Sequence, residues 1–238
     1  MEFKNLLKLY SEEIDFQISE KMLTDFEKYR DLLVEWNEKM NLTAITDAEG
    51  IAIKHFIDSI VPIKHFSDDS HIIDVGIGAG FPTIPLKIVN TSLKITALDS
   101  LNKRLSFLKE VKETLQLQNI NFIHGRAEDI GQNKSYREKY QYATSRAVAS
   151  LNVLTELCLP LIEIGGQFIV YKGEKWKDEL KEAEFAIKKL GGEVIDVKEY
   201  SLPKLQDKRS IIIISKISKS PAIYPRKAGT PAKKPLTN

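Results

Sequence analysis

The sequence predicts an α/β fold: a seven-stranded, doubly wound, Rossmann-like sheet with an antiparallel last strand, preceded by a helical N-terminal extension. Three observations carry this. From His71 onward, short β-rich runs alternate with segments of helical period, the pattern of parallel strands joined by crossover helices. Within it, Ile73-Asp74-Val75-Gly76-Ile77-Gly78-Ala79-Gly80-Phe81-Pro82-Thr83-Ile84-Pro85 reads as strand, tight turn and helix start. Finally, the last two β-rich runs lie too close together for a helix between Tyr200 and Lys208, so they must pair antiparallel.

Residues 1 to about 66 read as helical. Met22, Phe26, Tyr29, Leu33, Trp36 and Met40 recur at spacings of four and three, which lines one helix face that Ser19 can cap. Packing is the ordinary meaning of such a stripe. Asn37, Asn41, Thr43 and Thr46 then break the period, giving a polar loop that could wall a pocket. A second helix runs from about Ala48 to Ile60, where Pro62 closes it. It carries Asp58 and His55; a lone histidine there is ordinarily packed or solvated, although it could transfer a proton.

Seven strands follow, at Ile72 to Val75, Lys94 to Leu98, Asn121 to His124, Tyr140 to Ser145, Gln167 to Tyr171, Glu193 to Glu199 and Ser210 to Lys216. Helices are expected at Ile84 to Val89, Leu101 to Gln116, Leu151 to Ile162 and Lys175 to Leu190. The organisation is therefore a helical region over 1–66, a sheet domain over 67–217 and a proline-containing tail over 218–238. That tail is basic. Between Lys216 and Asn238 lie six of the 35 bases and none of the 33 acids, so a net charge of +2 hides a slightly acidic body. Such a tail suits contact with a phosphate backbone, or else is a solvated terminus.

Composition excludes several classes. With 42% hydrophobic and 29% charged residues the chain reads as globular, and no apolar run approaches the roughly 20 residues that span a bilayer. The N-terminus lacks a secretory apolar segment, so the cytoplasm is the expected compartment. One cysteine, Cys158, rules out an internal disulfide and a Cys-rich metal site, and its apolar run predicts burial. Neither a metal nor a membrane is expected, and a monomer is the default.

The glycine stretch is the candidate ligand turn. Gly76, Gly78 and Gly80 lie where a ligand approaches the backbone beyond the strand ends, but Phe81 occupies the third glycine position of the dinucleotide pattern. An aromatic there suits an adenosine face. Asp99 ends the second strand about 23 residues beyond Gly76, where a carboxylate can accept from both ribose hydroxyls. Gly125-Arg126-Ala127-Glu128-Asp129, after the third strand, faces an adenine edge. Arg146, after the fourth, offers a cation for a carboxylate or phosphate, unless it forms a surface ion pair. A nucleoside site without the dinucleotide pattern, on seven strands, points to S-adenosyl-L-methionine and methyl transfer.

The acceptor is narrowed by what is missing. Methylation of exocyclic amines ordinarily uses an acid or Asn, two prolines and an aromatic after the fourth strand, where this chain has Ser145-Arg146-Ala147-Val148. Methylation at a pyrimidine carbon needs a cysteine nucleophile, and Cys158 is buried by pattern. An acceptor with its own lone pair, such as a purine ring nitrogen, needs only alignment. A protein or small-molecule acceptor, a non-catalytic cofactor-binding module and a dinucleotide oxidoreductase remain as alternatives.

Trp36-Asn37, Asn41-Leu42-Thr43-Ala44-Ile45, His55-Phe56-Ile57-Asp58-Ser59, the glycine stretch through Leu86, Asp99-Ser100, Arg126-Ala127-Glu128, Ser145-Arg146-Ala147, Lys172-Gly173 and Tyr224 to Pro231 together resemble the glucose-inhibited division protein B family. The resemblance runs from about Trp36 to Pro235. It implies a bacterial 16S ribosomal RNA guanine-N7 methyltransferase acting on the small (30S) subunit RNA near the decoding region, with S-adenosylmethionine contacts at Gly76, Phe81, Ala127, Glu128 and Arg146. It also gives the tail a meaning, with Arg226, Lys227, Lys233 and Lys234 on RNA phosphates. Ile77 stands where the family commonly has a small hydroxyl residue, and Thr83 where it has glycine.

Overall fold

The computed structural model describes residues 2–205 and 207–237. Two helices, α1 (Phe3–Glu12) and α2 (Glu20–Met40), open the chain. The Ser19 hydroxyl accepts from the Met22 N–H and so caps α2, while Asn41, at φ 49°, turns the chain out of its far end. The next helix is composite. It runs from α3 (Ala48–Gly50) through a π-helical segment, Ile51–Ile57, into α4 (Asp58–Ile60), and a 3-10 turn at Val61–His65 follows at Pro62. Six of the seven π-helical residues are buried, as expected of a helix apolar on nearly all sides.

The sheet then unfolds in order: β1 (His71–Val75), α5 (Thr83–Val89), β2 (Lys94–Asp99), α6 (Asn102–Thr114), β3 (Ile120–His124), α7 (Ala127–Gln132), β4 (Tyr140–Arg146), α8 (Leu151–Cys158), β5 (Ile162–Lys172), α9 (Trp176–Lys189), β6 (Gly192–Ser201), β7 (Lys208–Lys216) and the short α10 (Thr230–Lys233). The spatial order is β3-β2-β1-β4-β5-β7-β6, and β7 alone runs against its neighbours β5 and β6. All seven expected strands are present. The helix expected over Leu151 to Ile162 stops at Cys158, because Pro160 supplies no N–H; a 3-10 turn, Leu159–Leu161, leads straight into β5.

Each sheet face carries its own core. On one, Phe3, Leu7, Phe26, Tyr29 and Phe56 from the N-terminal helices join Ile84, Leu86, Phe107 and Leu108 of α5 and α6. On the other, α8 and α9 pack with Ile73, Val75, Phe168 and Ile212, and with Tyr224 and Leu236 from the tail. The tail is tied down along its length. The Arg137 guanidinium donates to the carbonyls of Gly131, Ser220, Pro221 and Tyr224. Arg226 grips fully buried Glu156 through its backbone N–H, Nε and Nη2 at 2.8, 2.9 and 2.6 Å. This residue, expected on RNA phosphate, is thus committed to an internal pair, because a buried carboxylate demands a cation. Lys227, Lys233 and Lys234 remain exposed.

Candidate active site

A cavity of about 510 Å³ opens beyond the carboxyl ends of β1 to β4, where open α/β sheets bind ligands. All seven residues singled out from the sequence, Gly76, Gly78, Phe81, Asp99, Ala127, Glu128 and Arg146, line it. So do Leu42 and Thr43, from the polar loop expected to wall a pocket, and His55, which the sequence did not assign there.

The glycines do different things. A Cβ on Gly76 would lie 2.6 Å from Val148. Gly80, at φ +102°, is pressed against the Tyr29 hydroxyl, Ile84 and Leu108. Gly78, at φ +61°, has nothing beyond its own turn within 4 Å of that position except the Gly76 carbonyl at 3.9 Å, so it leaves open space on the cavity wall. Tyr29 of α2 holds the turn from beneath: its hydroxyl donates to the Ala79 carbonyl at 2.5 Å, and its ring stacks on Phe56 at 5.2 Å. The stripe read as packing therefore also braces the glycine loop. The two positions that depart from the family pattern both face inward. Ile77 is buried in the core of the N-terminal helices, and the Thr83 hydroxyl donates to Asp74 Oδ2.

Asp99 is 3% exposed and ties the rim together. Its Oδ2 accepts from the Gly78 N–H at 2.9 Å and from Arg104 Nη1 at 3.4 Å, and its Oδ1 accepts from the Leu101 N–H at 2.8 Å, which leaves a lone pair on Oδ1. Glu128 Oε1 accepts from the Gly229 N–H at 2.8 Å, so the tail reaches the cavity rim. Arg146 is not a surface cation. Its Nη1 donates to Asp58 Oδ2 at 2.8 Å and to the Lys54 carbonyl at 3.1 Å, and its Nη2 faces His55 Nδ1 at 3.4 Å. Phe81 stacks on the His55 ring at 4.3 Å, with the guanidinium 5.2 Å over its own ring. Burial, helped by the Arg146 charge, pushes His55 down to about 3, so it is neutral at physiological pH. Its Nε2 lies 2.8 Å from Thr43 Oγ1.

The loop asparagines expected to wall the pocket instead shape the loop. Asn37 Oδ1 accepts from the Thr43 N–H at 2.8 Å, and Asn41 is exposed at the end of α2, off the cavity lining. The stretch reaches the cavity through Leu42 and Thr43.

Beneath the turn, Asp74 is fully buried and its Oδ1 has no partner among the described residues. Burial raises its carboxyl from 3.8 to about 7, against the lowering pull of the Thr83 hydroxyl and Arg146. Because the folded value is raised, the folded state holds this proton more tightly than the unfolded chain. The stability this contributes is complete below about pH 3.8 and is lost as pH rises toward 7. Relative to Asp74→Asn, the native protein should therefore lose up to about 1.4 kcal/mol per pH unit across that window in urea melts. His55 slopes the opposite way, its contribution being lost below pH 6.5, but it is common to both proteins and cancels in the difference. Parallel stability curves would refute the assignment.

Among the described residues, no helix is long and apolar enough to cross a membrane, and no group of three or more His, Cys, Asp or Glu could hold a metal ion. Comparison with known proteins gives the family. The GidB family model, described as rRNA small subunit methyltransferase G, matches residues 22–212. A ribosomal RNA small subunit methyltransferase G of Alkaliphilus metalliredigens is 50% identical over 238 residues, covering 99% of this chain and all of its own. The Staphylococcus aureus protein of the same name is 51% identical over 226 residues, with 94% of each chain covered. Among solved structures, M. jannaschii TYW2 in complex with AdoMet shares the sheet fold at a TM-score of 0.52 and 15% identity, over 68% of this chain and 76% of its own. With a family model spanning most of its length and half of its residues shared with full-length relatives, the chain belongs to the rRNA small subunit methyltransferase G (GidB) family.

Proposed function

We propose that this protein transfers a methyl group from S-adenosylmethionine to N7 of a guanine in 16S ribosomal RNA. The observation that carries this is that the one histidine lining the cavity and the one cysteine of the chain are both unavailable as base or nucleophile. His55 is neutral and engaged at both ring nitrogens, and Cys158 is fully buried with its thiol pushed up by that burial. A site of this kind suits an acceptor that brings its own lone pair and has no proton to lose, and guanine N7 is such an atom.

The residues present fit the cofactor. Gly78 gives a wall without a side chain, and Asp99 suits the ribose hydroxyls, with a lone pair free on Oδ1 and a second on Oδ2 where a hydroxyl displaces the long Arg104 contact. Ala127 and Glu128 border the adenine side, with Gly76, Phe81 and Arg146 toward the other end. When bound, S-adenosylmethionine supplies an electrophilic methyl on a sulfonium centre. The chain's part is to hold the acceptor nitrogen in line and to keep water out, and Leu42, Phe81 and Val148 provide the apolar walls for that. Arg126 on the cavity lining, with exposed Lys227, Lys233 and Lys234, supplies cations for RNA phosphate, whether the RNA is free or assembled in a 30S particle.

Calorimetric titration tests the cofactor site. S-adenosylhomocysteine should bind the native protein, and Asp99→Ala should bind it at least about tenfold more weakly, since a carboxylate accepting from two hydroxyls is lost. Mapping N7-methylguanine in 16S RNA after incubation tests the acceptor. Binding of NADH in place of S-adenosylhomocysteine, or methyl label in protein and none in RNA, would overturn the reading.

A further inference from the structure

A hydrogen-bonded chain crosses the β4 side of the cavity and ends on a hydroxyl that the proposed function leaves without a task. It starts at Tyr200, whose hydroxyl donates to Asp58 Oδ1 at 2.6 Å. Asp58 Oδ2 accepts from Arg146 Nη1, and Arg146 Nη2 faces His55 Nδ1. A guanidinium can only donate, so Nδ1 must be the acceptor nitrogen of the ring. In a neutral imidazole the proton then sits on Nε2, which donates to Thr43 Oγ1 at 2.8 Å. The same oxygen accepts from the Ile45 N–H at 3.0 Å. Both acceptor positions of the Thr43 hydroxyl are therefore filled, and its single O–H is left to donate. A threonine hydroxyl ordinarily serves either way, but here four side chains fix its polarity.

Thr43 is half-buried on the cavity wall, so the locked donor serves whatever acceptor the cavity holds. Its position argues which. The nucleoside positions, Asp99 and Glu128, follow β2 and β3, on one side of β1, whereas Thr43 is anchored through His55 to Arg146 at the end of β4, on the other side. That is the end away from the ribose, where the acceptor base must meet the methyl. Guanine presents N7 and O6 side by side as two acceptors, while adenine places an amino donor beside its N7.

We propose that Thr43 donates its hydroxyl hydrogen bond to O6 of the acceptor guanine, holding N7 in line and rejecting adenine, whose amino group would meet a second donor. This rests on the guanine-N7 reading above. Thr43 is then the residue of the N-terminal loop that reads the base, with His55, Arg146 and Asp58 as positioning residues behind it.

The test uses the full-length protein and 30S particles carrying either guanine or 2-aminopurine, which keeps N7 and lacks O6, at the acceptor position mapped with the native enzyme. Single-turnover methylation by Thr43→Val should be about tenfold slower on guanine, the loss of one hydrogen bond, with S-adenosylhomocysteine affinity within about twofold of native. Thr43→Ser, which keeps the donor, should stay within about threefold of the native rate. On 2-aminopurine the native protein and Thr43→Val should be equally slow. The proposal is overturned if Thr43→Ser is as slow as Thr43→Val, if Thr43→Val keeps its deficit on 2-aminopurine, or if cofactor affinity falls in step with rate, which would assign the hydroxyl to the cofactor. Failure of the native protein to form N7-methylguanine in any particle is a different result, since it removes the guanine reading itself and this assignment with it.

Discussion

Replacing Gly80 by alanine is expected to destabilise the protein by about 3 kcal/mol or more, through two effects that add. The backbone there has φ +102°, beyond even the left-handed region that other residues visit, which costs on the order of 1–3 kcal/mol for a side chain. The new methyl would also lie 2.4 Å from the Tyr29 hydroxyl oxygen, 2.8 Å from Ile84 and 2.9 Å from Leu108, all in the packed core, and overpacking there costs about 1–3 kcal/mol. Tyr29 cannot swing aside without abandoning the Ala79 carbonyl and its stack on Phe56. Equilibrium urea melts of Gly80→Ala, Tyr29→Phe and the double variant check this. Removing the hydroxyl relieves the closest clash, so the double variant should be less destabilised than the sum of the singles. A Gly80→Ala protein within about 0.5 kcal/mol of native would sink the argument. The same experiment reports on function, because this helix sets the loop against which the cofactor is proposed to lie.

The bracing by Tyr29 also marks where sequence reading stops. The strands were legible because buried parallel strands are short apolar runs between turns, and the turn because three glycines at alternate positions have few other uses. Asp99 followed from its distance along one βαβ unit. What the sequence hid are contacts between units. Tyr29 meets Ala79 and Arg146 meets Asp58 across 50 and 88 residues, and no local period encodes either. Two signals were nonetheless present. Glu156 is the one charged residue of α8, and a buried carboxylate requires a cation, which is the Arg226 of a tail that charge alone made look solvated. His55 and Asp58, three apart on one helix, share a face, so a cation placed between them was inferable even though its identity was not. Thr43 had no such signal, because the polarity of its hydroxyl exists only once the chain from Asp58 is assembled.

Breaking the Arg146–Asp58 pair should separate stability from activity. Arg146 and Asp58 side chains are 12% and 8% exposed, so removing one partner strands a buried charge. Arg146→Met or Asp58→Leu alone is therefore expected to cost about 3–5 kcal/mol, while the double variant, which strands neither, should recover most of that loss in urea melts. Recovery of activity should not follow. Without Arg146, nothing obliges His55 Nδ1 to act as acceptor, so the ring can turn its proton to either nitrogen and Thr43 is no longer confined to donating. The refolded double variant should methylate at least about tenfold more slowly than the native protein. Its His55 should also titrate above the native value of about 3 but below 6.5, because the Arg146 charge is gone while burial, the larger cause, remains. Histidine proton resonances followed against pH read this directly. A double variant that regains stability and full activity together would mean that the pair only packs the site; one that regains neither would mean that the charges are not stabilised by each other.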